Sequence, residues 1–163
     1  MKRKMRRSEK EITDMDIIYS ILKSSETCRI AFCDNNWPYI IPMNFAYDNG
    51  FIYLHSAREG RKIDILNDNN RVCFEIDDQC EILPAENDCN WGTKYRSIIG
   101  NGLAIVEDDI IEKKNGLNII MKKYSHKSPF PKDSFEYSKK SLEAMVIIKI
   151  EIMDISGKTS GYD

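Results

Sequence analysis

Residues 37–62 read WPYIIPMNFAYDNGFIYLHSAREGRK, and the order of signals in this stretch decides the fold. Asp48-Asn49-Gly50 stands between two runs rich in β-branched and aromatic residues. Asn-Gly accepts the positive φ that a two-residue turn requires, so Trp37 to Tyr47 and Phe51 to Ser56 are expected to fold back on each other as a hairpin. Pro38 and Pro42 each remove a ladder donor, which places the first strand at an edge or gives it a bulge. The stretch then runs into a short helix, about Glu59 to Asn67, with Ile63 and Leu66 on one side.

Working outward, Asp34-Asn35-Asn36 turns the chain into this hairpin from a preceding strand that starts at Thr27. There Cys28, Ile30 and Phe32 alternate with Thr27, Arg29 and Ala31, the period of a half-buried strand. Further upstream, Thr13-Asp14-Met15-Asp16 resembles a capped helix start, followed by Ile17, Ile18, Ile21 and Leu22 on one stripe. Downstream, Val72, Phe74 and Ile76 mark a fourth strand. Leu83 to Gly92 is a polar loop, and Lys94 to Val106 is a long strand whose Gly100 and Gly102 mark a bend or close backbone approach. Asp108 and Asp109 open a helix carrying Ile110, Leu117, Ile120, Met121 and Tyr124. A polar connection, Ser125 to Lys132, precedes a short helical stretch and a last strand, Met145 to Ile155. Six strands joined partly by hairpins pair antiparallel, and a sheet of that size loses its exposed edges by closing on itself. The expectation is an α+β protein with a small barrel, one domain over residues 1–163, with residues 1–8 as a basic tail.

Five of the first seven residues are basic: Lys2, Arg3, Lys4, Arg6 and Arg7. Setting them aside leaves 19 Lys and Arg against 26 Asp and Glu, a body of charge −7 that argues against binding a phosphate backbone. Ser8-Glu9-Lys10-Glu11 succeeds the tail where a signal peptide needs apolar residues, and no apolar run nears the ~20 residues that span a bilayer. No nucleic acid, no membrane and a cytoplasmic location are therefore expected. The five cysteines (Cys28, Cys33, Cys73, Cys80, Cys89) are odd in number and hold no CxxC pair, so they are expected to be reduced. His55 and His126 lie at no ligand spacing from them, which excludes an obvious zinc site. Cys28 reads as a core residue, and His126, in a polar loop, as exposed.

The segment with most chemistry is His55-Ser56-Ala57-Arg58-Glu59-Gly60-Arg61-Lys62, between a strand end and a helix start. A helix N-terminus offers free N–H groups and a partial positive charge, and three cations beside it suit a phosphate monoester. Simple solvation of those cations is the plain alternative. The edge strand holding Pro38 and Pro42 has backbone groups free for something other than a neighbour, a planar heterocycle or bulk water.

Residues 39–62, together with Arg71-Val72-Cys73-Phe74-Glu75, Tyr95 to Gly102 and Ile148-Lys149-Ile150, resemble the pyridoxamine 5′-phosphate oxidase-like FMN-binding split-barrel superfamily, and more narrowly its nitroimidazole-resistance (Nim-type) branch. The likeness spans roughly residues 8–160. It implies a six-stranded antiparallel split β-barrel with flanking helices, a homodimer, and FMN in a cleft between the two copies. It implies that the Ile41, Pro42, Met43 and Asn44 backbone meets the flavin ring, and that His55, Ser56 and Ala57 line the ring and ribityl chain. Arg61 and Lys62 are then near the phosphate, Ser97 lies close to the flavin, and Trp91 comes from the partner copy. The likeness also places His55 beside the flavin, to orient substrate or to serve as a proton donor near neutral pH. Pyridoxamine phosphate oxidation is not expected, because no basic cluster for a second phosphate is found. The expected activity is FMN-dependent electron transfer from a reduced donor such as a nicotinamide to a small flat acceptor, for instance a nitroimidazole. A protein that holds FMN or haem without turnover, or a barrel whose cleft is empty and binds a partner, are the other readings.

Overall fold

The computed structural model describes residues 4–162, the Gln79 side chain excepted; Lys2 and Arg3 of the basic tail lie outside it. Within it, Lys4, Arg6 and Arg7 are exposed. Eight strands form one antiparallel sheet: β1 (Glu11–Ile12), β2 (Thr27–Asp34), β3 (Trp37–Asn44), β4 (Ala46–Asp48), β5 (Phe51–Ala57), β6 (Arg71–Leu83), β7 (Gly92–Glu107) and β8 (Met145–Ser160). Their order is β3-β2-β6-β7-β8-β5-β4, with β1 added on β8. Four helices accompany them: α1 (Met15–Ser24), α2 (Arg61–Asp68), α3 (Ile110–Ser125) and α4 (Lys139–Glu143). No helix among the described residues is long and apolar enough to cross a membrane.

The α+β, antiparallel reading holds, but the single strand expected over Trp37 to Tyr47 is two. β3 pairs with β2 and β4 pairs with β5, so they stand at opposite ends of the strand order, joined through Phe45 alone. This break and the two-residue β1 raise the strand count from six to eight. The cause is a half-buried tyrosine. The Tyr124 hydroxyl of α3 accepts from the Phe45 N–H at 3.0 Å and lies 2.6 Å and 2.8 Å from the Glu26 and Phe45 carbonyls, donating to one of them. A side chain thus satisfies the Phe45 backbone where ladder neighbours would otherwise be needed. Because one chain runs straight from one edge of the sheet to the other, the sheet curls into a barrel that is split between β3 and β5, which lie against each other.

Local chemistry sets the turns. Asn35 and Asn36 (φ 50° and 68°) close β2–β3, and Asn49 and Gly50 (φ 46° and 86°) close β4–β5, both with the positive φ of tight hairpins. Gly100 and Gly102 mark a close approach: a Cβ on Gly100 would stand 2.3 Å from the Phe74 ring, and one on Gly102 2.5 Å from the Glu151 carbonyl. The β7–β8 register shifts between Asn101 and Gly102. The first helix starts one residue later than the hydroxyl cap predicts, because the Asp14 carboxylate accepts from the Asp16 N–H. β6, β7 and β8 all run longer than periodicity indicates, and β6–β7 form a hairpin whose loop is residues 84–91.

Inward residues of alternate strand positions build the core: Cys28, Ile30, Phe32, Ile52, Leu54, Phe74, Ile76, Ile98, Ile148 and Ile150 are buried. Ile18, Ile21 and Leu22 of α1, and Ile63, Ile65 and Leu66 of α2, pack on the same cluster. α3 covers the outer face of β8, where Ile120 meets Ala46 and Ile147. That second layer explains why Ile147 and Ile148, on opposite faces of one strand, are both buried.

Candidate functional site

α2 packs on β2 and β7, and Arg61 at its start reaches across to β3. The Arg61 guanidinium lies 4.4 Å over the Tyr39 ring and pairs with Asp34 at 3.0 Å, so the helix start is tied to β3 and to the β2–β3 turn. On β3, Ile41 and Met43 turn half-buried toward the core, whereas Pro42 and Asn44 are exposed. Its outer edge carries no ladder partner among the described residues. β5 ends with His55 exposed, Ser56 buried and Ala57 exposed, and residues 58–60 lead directly into α2. Ile41 to Asn44 and His55 to Ala57 thus lie on the two strands that meet at the split, and Arg61, beside Lys62 at the start of α2, reaches Tyr39 of β3.

The start of α2 is chemically open. Gly60 occupies the cap position at φ 117°, a conformation that favours glycine, and no side chain bonds the first-turn amides. By contrast, carboxylates of Asp14 and Asp109 cap α1 and α3, and Ser138 caps α4. The cations at this end differ in availability. Arg58 is drawn away: it pairs with Asp108 at 2.5 Å and donates to the Glu143 carbonyl at 3.1 Å. Arg61 is held by Asp34 and Tyr39. Lys62, half-buried, makes no ion pair among the described residues. Open first-turn amides and an uncommitted ammonium make a seat for an anion.

Ser97 and Trp91 stand elsewhere. In the sheet, His55 is level with Ile147 of β8 and Glu107 of β7, whereas Ser97 is level with Lys158. Ten residues of β7 separate the two levels, about 30 Å of strand. Trp91 lies beyond Ser97 in the β6–β7 loop, exposed, with its indole N–H donating to the Ala85 carbonyl at 2.9 Å. Within one chain, neither reaches His55.

Sequence reasoning missed four residues that shape the site. Asp34 and Tyr39 position Arg61, and Asp108 with Lys113 positions Arg58. Lys113 is 2% exposed, pairs with Asp108 at 2.5 Å and donates to the Leu142 carbonyl at 2.8 Å. The Lys113 ammonium holds the Asp108 carboxyl below the usual carboxylate range, with Arg58 adding to the effect. No local pattern announces these pairs, since their partners lie 27 and 50 residues away from the arginines they hold. Two of the cysteines are held as thiols by burial: Cys28 is fully buried and its thiol is pushed up to about 12, and burial also raises Cys73.

A family model described as pyridoxamine 5′-phosphate oxidase matches residues 14–159. Among curated proteins, no sequence matches the chain. Among solved structures, a candidate 5-nitroimidazole antibiotic resistance protein from Bacteroides thetaiotaomicron is 32% identical, with 91% of this chain and 85% of that one covered and a TM-score of 0.79. A flavocytochrome from Azotobacter vinelandii shares the fold at 18% identity and TM-score 0.82, over 98% of this chain and 73% of that one. So does an FAD-binding protein from Mesorhizobium loti, at 21% identity and TM-score 0.68, over 93% and 97%. The split between β3 and β5, the open start of α2 and these likenesses agree: the chain belongs to the pyridoxamine 5′-phosphate oxidase-like split-barrel superfamily, in its nitroimidazole-resistance branch.

Proposed function

We propose that the protein is an FMN-dependent oxidoreductase of the nitroreductase kind, with two copies of the chain forming each flavin cleft. The observation that carries this reading is the open start of α2, whose Arg61 reaches Tyr39 of the edge strand β3. The donor set fits FMN: the first-turn amides and the Lys62 ammonium would take the phosphate, with Arg61 at the rim, and Ile41 to Asn44, paired with β2 on one side only, would turn the other edge to a planar ring. Similar proteins named as a flavocytochrome and as an FAD-binding protein support a flavin on this scaffold. Bound FMN would supply reversible uptake of hydride and electrons from a donor such as a reduced nicotinamide. His55, exposed at the end of β5, hands a proton to the acceptor as it is reduced. Ser56 and Ala57 line the approach to the ring.

A homodimer accounts for the separation of His55 from Ser97 along the sheet. If both flank one flavin, Ser97 and Trp91 must come from the partner subunit, in a two-fold arrangement that repeats each contact.

The purified protein tests this directly. Absorption near 370 and 450 nm, rough values for oxidised flavin, with FMN released on denaturation and a scattering mass of about 38 kDa, twice the 19.0 kDa chain, is expected. A single intense band near 400 nm, the rough position for haem, would replace the flavin with haem. A colourless protein that takes up no FMN, or a monomer that keeps stoichiometric FMN on dilution, would overturn the cofactor or the shared cleft respectively.

A further inference from the structure

A cavity of about 570 Å³ opens on the outer face of the sheet, where β2, β6, β7 and β8 run side by side. Ala31, Cys33, Arg71, Cys73, Met153 and Asp154 are among the residues that line it. Cys28, Ile30 and Phe32 of β2 point into the core, so Ala31 and Cys33 point out. Cys73 of β6 stands between the buried Val72 and Phe74 and points out as well. In the β2–β6 ladder Cys73 is opposite Ala31, which makes Cys33, two residues on and on the same face, its diagonal neighbour. Diagonal neighbours have Cα atoms about 7–8 Å apart and Cβ atoms somewhat closer. That is beyond the roughly 4.4–6.8 Å of a disulfide, and both cysteines are free. A single atom held between the two sulfurs suits this spacing where a direct S–S bond does not.

The surroundings select the kind of atom. Among the described residues, no group of three or more His, Cys, Asp or Glu gathers around a metal position, so the pair has no third ligand of those types. Zinc, which takes four such ligands in a structural site, is not served by it. Copper(I) is: it is soft, favours thiolate sulfur and accepts two ligands in line. The nearby carboxylates are already committed. Asn101 donates to both oxygens of Asp154, at 3.1 Å and 3.2 Å, and Glu75 accepts from Arg29 at 2.9 Å. Arg71 makes no ion pair among the described residues. Burial, with Asp154 and Glu75 adding to it, raises the Cys73 thiol, so a cation binds there by displacing a proton.

We propose that Cys33 and Cys73 form a copper(I) site. Each thiol releases its proton to solvent and each sulfur donates an electron pair to the ion, so two Cu–S bonds form while copper stays Cu(I). Two thiolates and one Cu⁺ leave a single net negative charge, which the Arg71 guanidinium in the same cavity offsets. The Met153 thioether, exposed on β8, adds a soft wall rather than a ligand, because β7 stands between β8 and β6. Two strand spacings, about 10 Å, separate it from Cys73. None of these side chains is among those proposed to hold FMN, so flavin content and copper binding are tested separately.

The test keeps the whole protein reduced and anaerobic and offers copper(I) as its coloured complex with bicinchoninate. The chain is expected to withdraw one equivalent, read as lost colour, with X-ray absorption showing sulfur neighbours alone around the ion. Cys33→Ser and Cys73→Ser, each checked for fold by circular dichroism, should each abolish that uptake. Cys80→Ser/Cys89→Ser, which removes two further exposed thiols, should keep it. Uptake that survives either single variant, or that disappears with the double one, would overturn the site. So would a scattering mass that rises when copper is added, since the ion would then join separate copies.

Discussion

Two helix starts a short way apart in the molecule, α2 and α3, are built from the same backbone and given opposite chemistry. At α3 the Asp109 carboxylate accepts from the Ile111 and Glu112 amides at 2.8 Å and 3.2 Å, and its neighbour Asp108 joins Lys113 and Arg58. All four of these charged side chains have partners within the chain. At α2 a glycine stands in the cap position, the amides keep no side-chain partner, and Lys62 is uncommitted. The first offers an anion no free side-chain cation, whereas the second keeps its first-turn amides and the Lys62 ammonium free of side-chain partners. The difference lies in the residues that leave each strand: aspartates after β7, glycine after β5. Arg58 links the two, since it belongs to the α2 loop yet points to Asp108, which strengthens the closed end and leaves the open one to Arg61 and Lys62.

The largest expected effect falls at the open end. His55→Ala should slow reoxidation of the reduced flavin by a nitroimidazole by about 10²-fold, the usual scale for one proton donor, while FMN content changes little. Anaerobic stopped-flow reads this; an unchanged rate would assign proton delivery to solvent.

At the closed end, Lys113→Met keeps the buried stem but loses the ammonium. A cost of about 2 kcal/mol in denaturant unfolding is expected, the scale of a hydrogen bond from a charged group. Asp108 adds a pH dependence of known sign. Its carboxyl is held below the usual range by Lys113, so its stabilisation is complete above the unfolded value, about 3.9, and is lost as pH falls through the lower folded value. The gap between wild type and Lys113→Met should therefore narrow in acid, and a gap that stays constant would mean that packing, not charge, carries it.

Lys62→Ala should weaken FMN about tenfold, as one charge-assisted bond of roughly 1.5–3 kcal/mol disappears. Riboflavin, lacking the phosphate, should bind more weakly and ignore the change. Equal losses for both, measured by flavin fluorescence titration, would move the phosphate away from α2. The smallest effect is Asp109→Ala, about 1 kcal/mol of stability for a lost helix cap, with FMN affinity unchanged. If that variant altered FMN binding, the two helix starts would not be independent.

Much of this could be read from local pattern. The Asn49-Gly50 turn, the alternation of Cys28, Ile30 and Phe32, the edge character of β3 with its two prolines, and the close approach at Gly100 and Gly102 are all found where expected. The concentration of cations after His55 also pointed to the helix start that the structure leaves open. The break at Phe45 was not legible, because Trp37 to Tyr47 alternates without interruption and nothing nearby distinguishes a strand that continues from one that changes partner. Equally, His55 and Ser97 carry no sign of how far apart they lie.

Local sequence alone dictates which residues face inward, where the chain turns and which helix end lacks a carboxylate cap, because those depend on Cβ alternation, on φ and on residues a few positions apart. It took the folded chain to choose which strands neighbour each other. The same holds for Tyr124, which lies 79 residues on from Phe45 and takes over the backbone groups where the barrel splits, and for the turning of Arg58 to Asp108 and of Arg61 to Asp34. Those choices are made between surfaces that are distant along the chain, where burial and the need to satisfy every buried polar group select partners that no local period encodes.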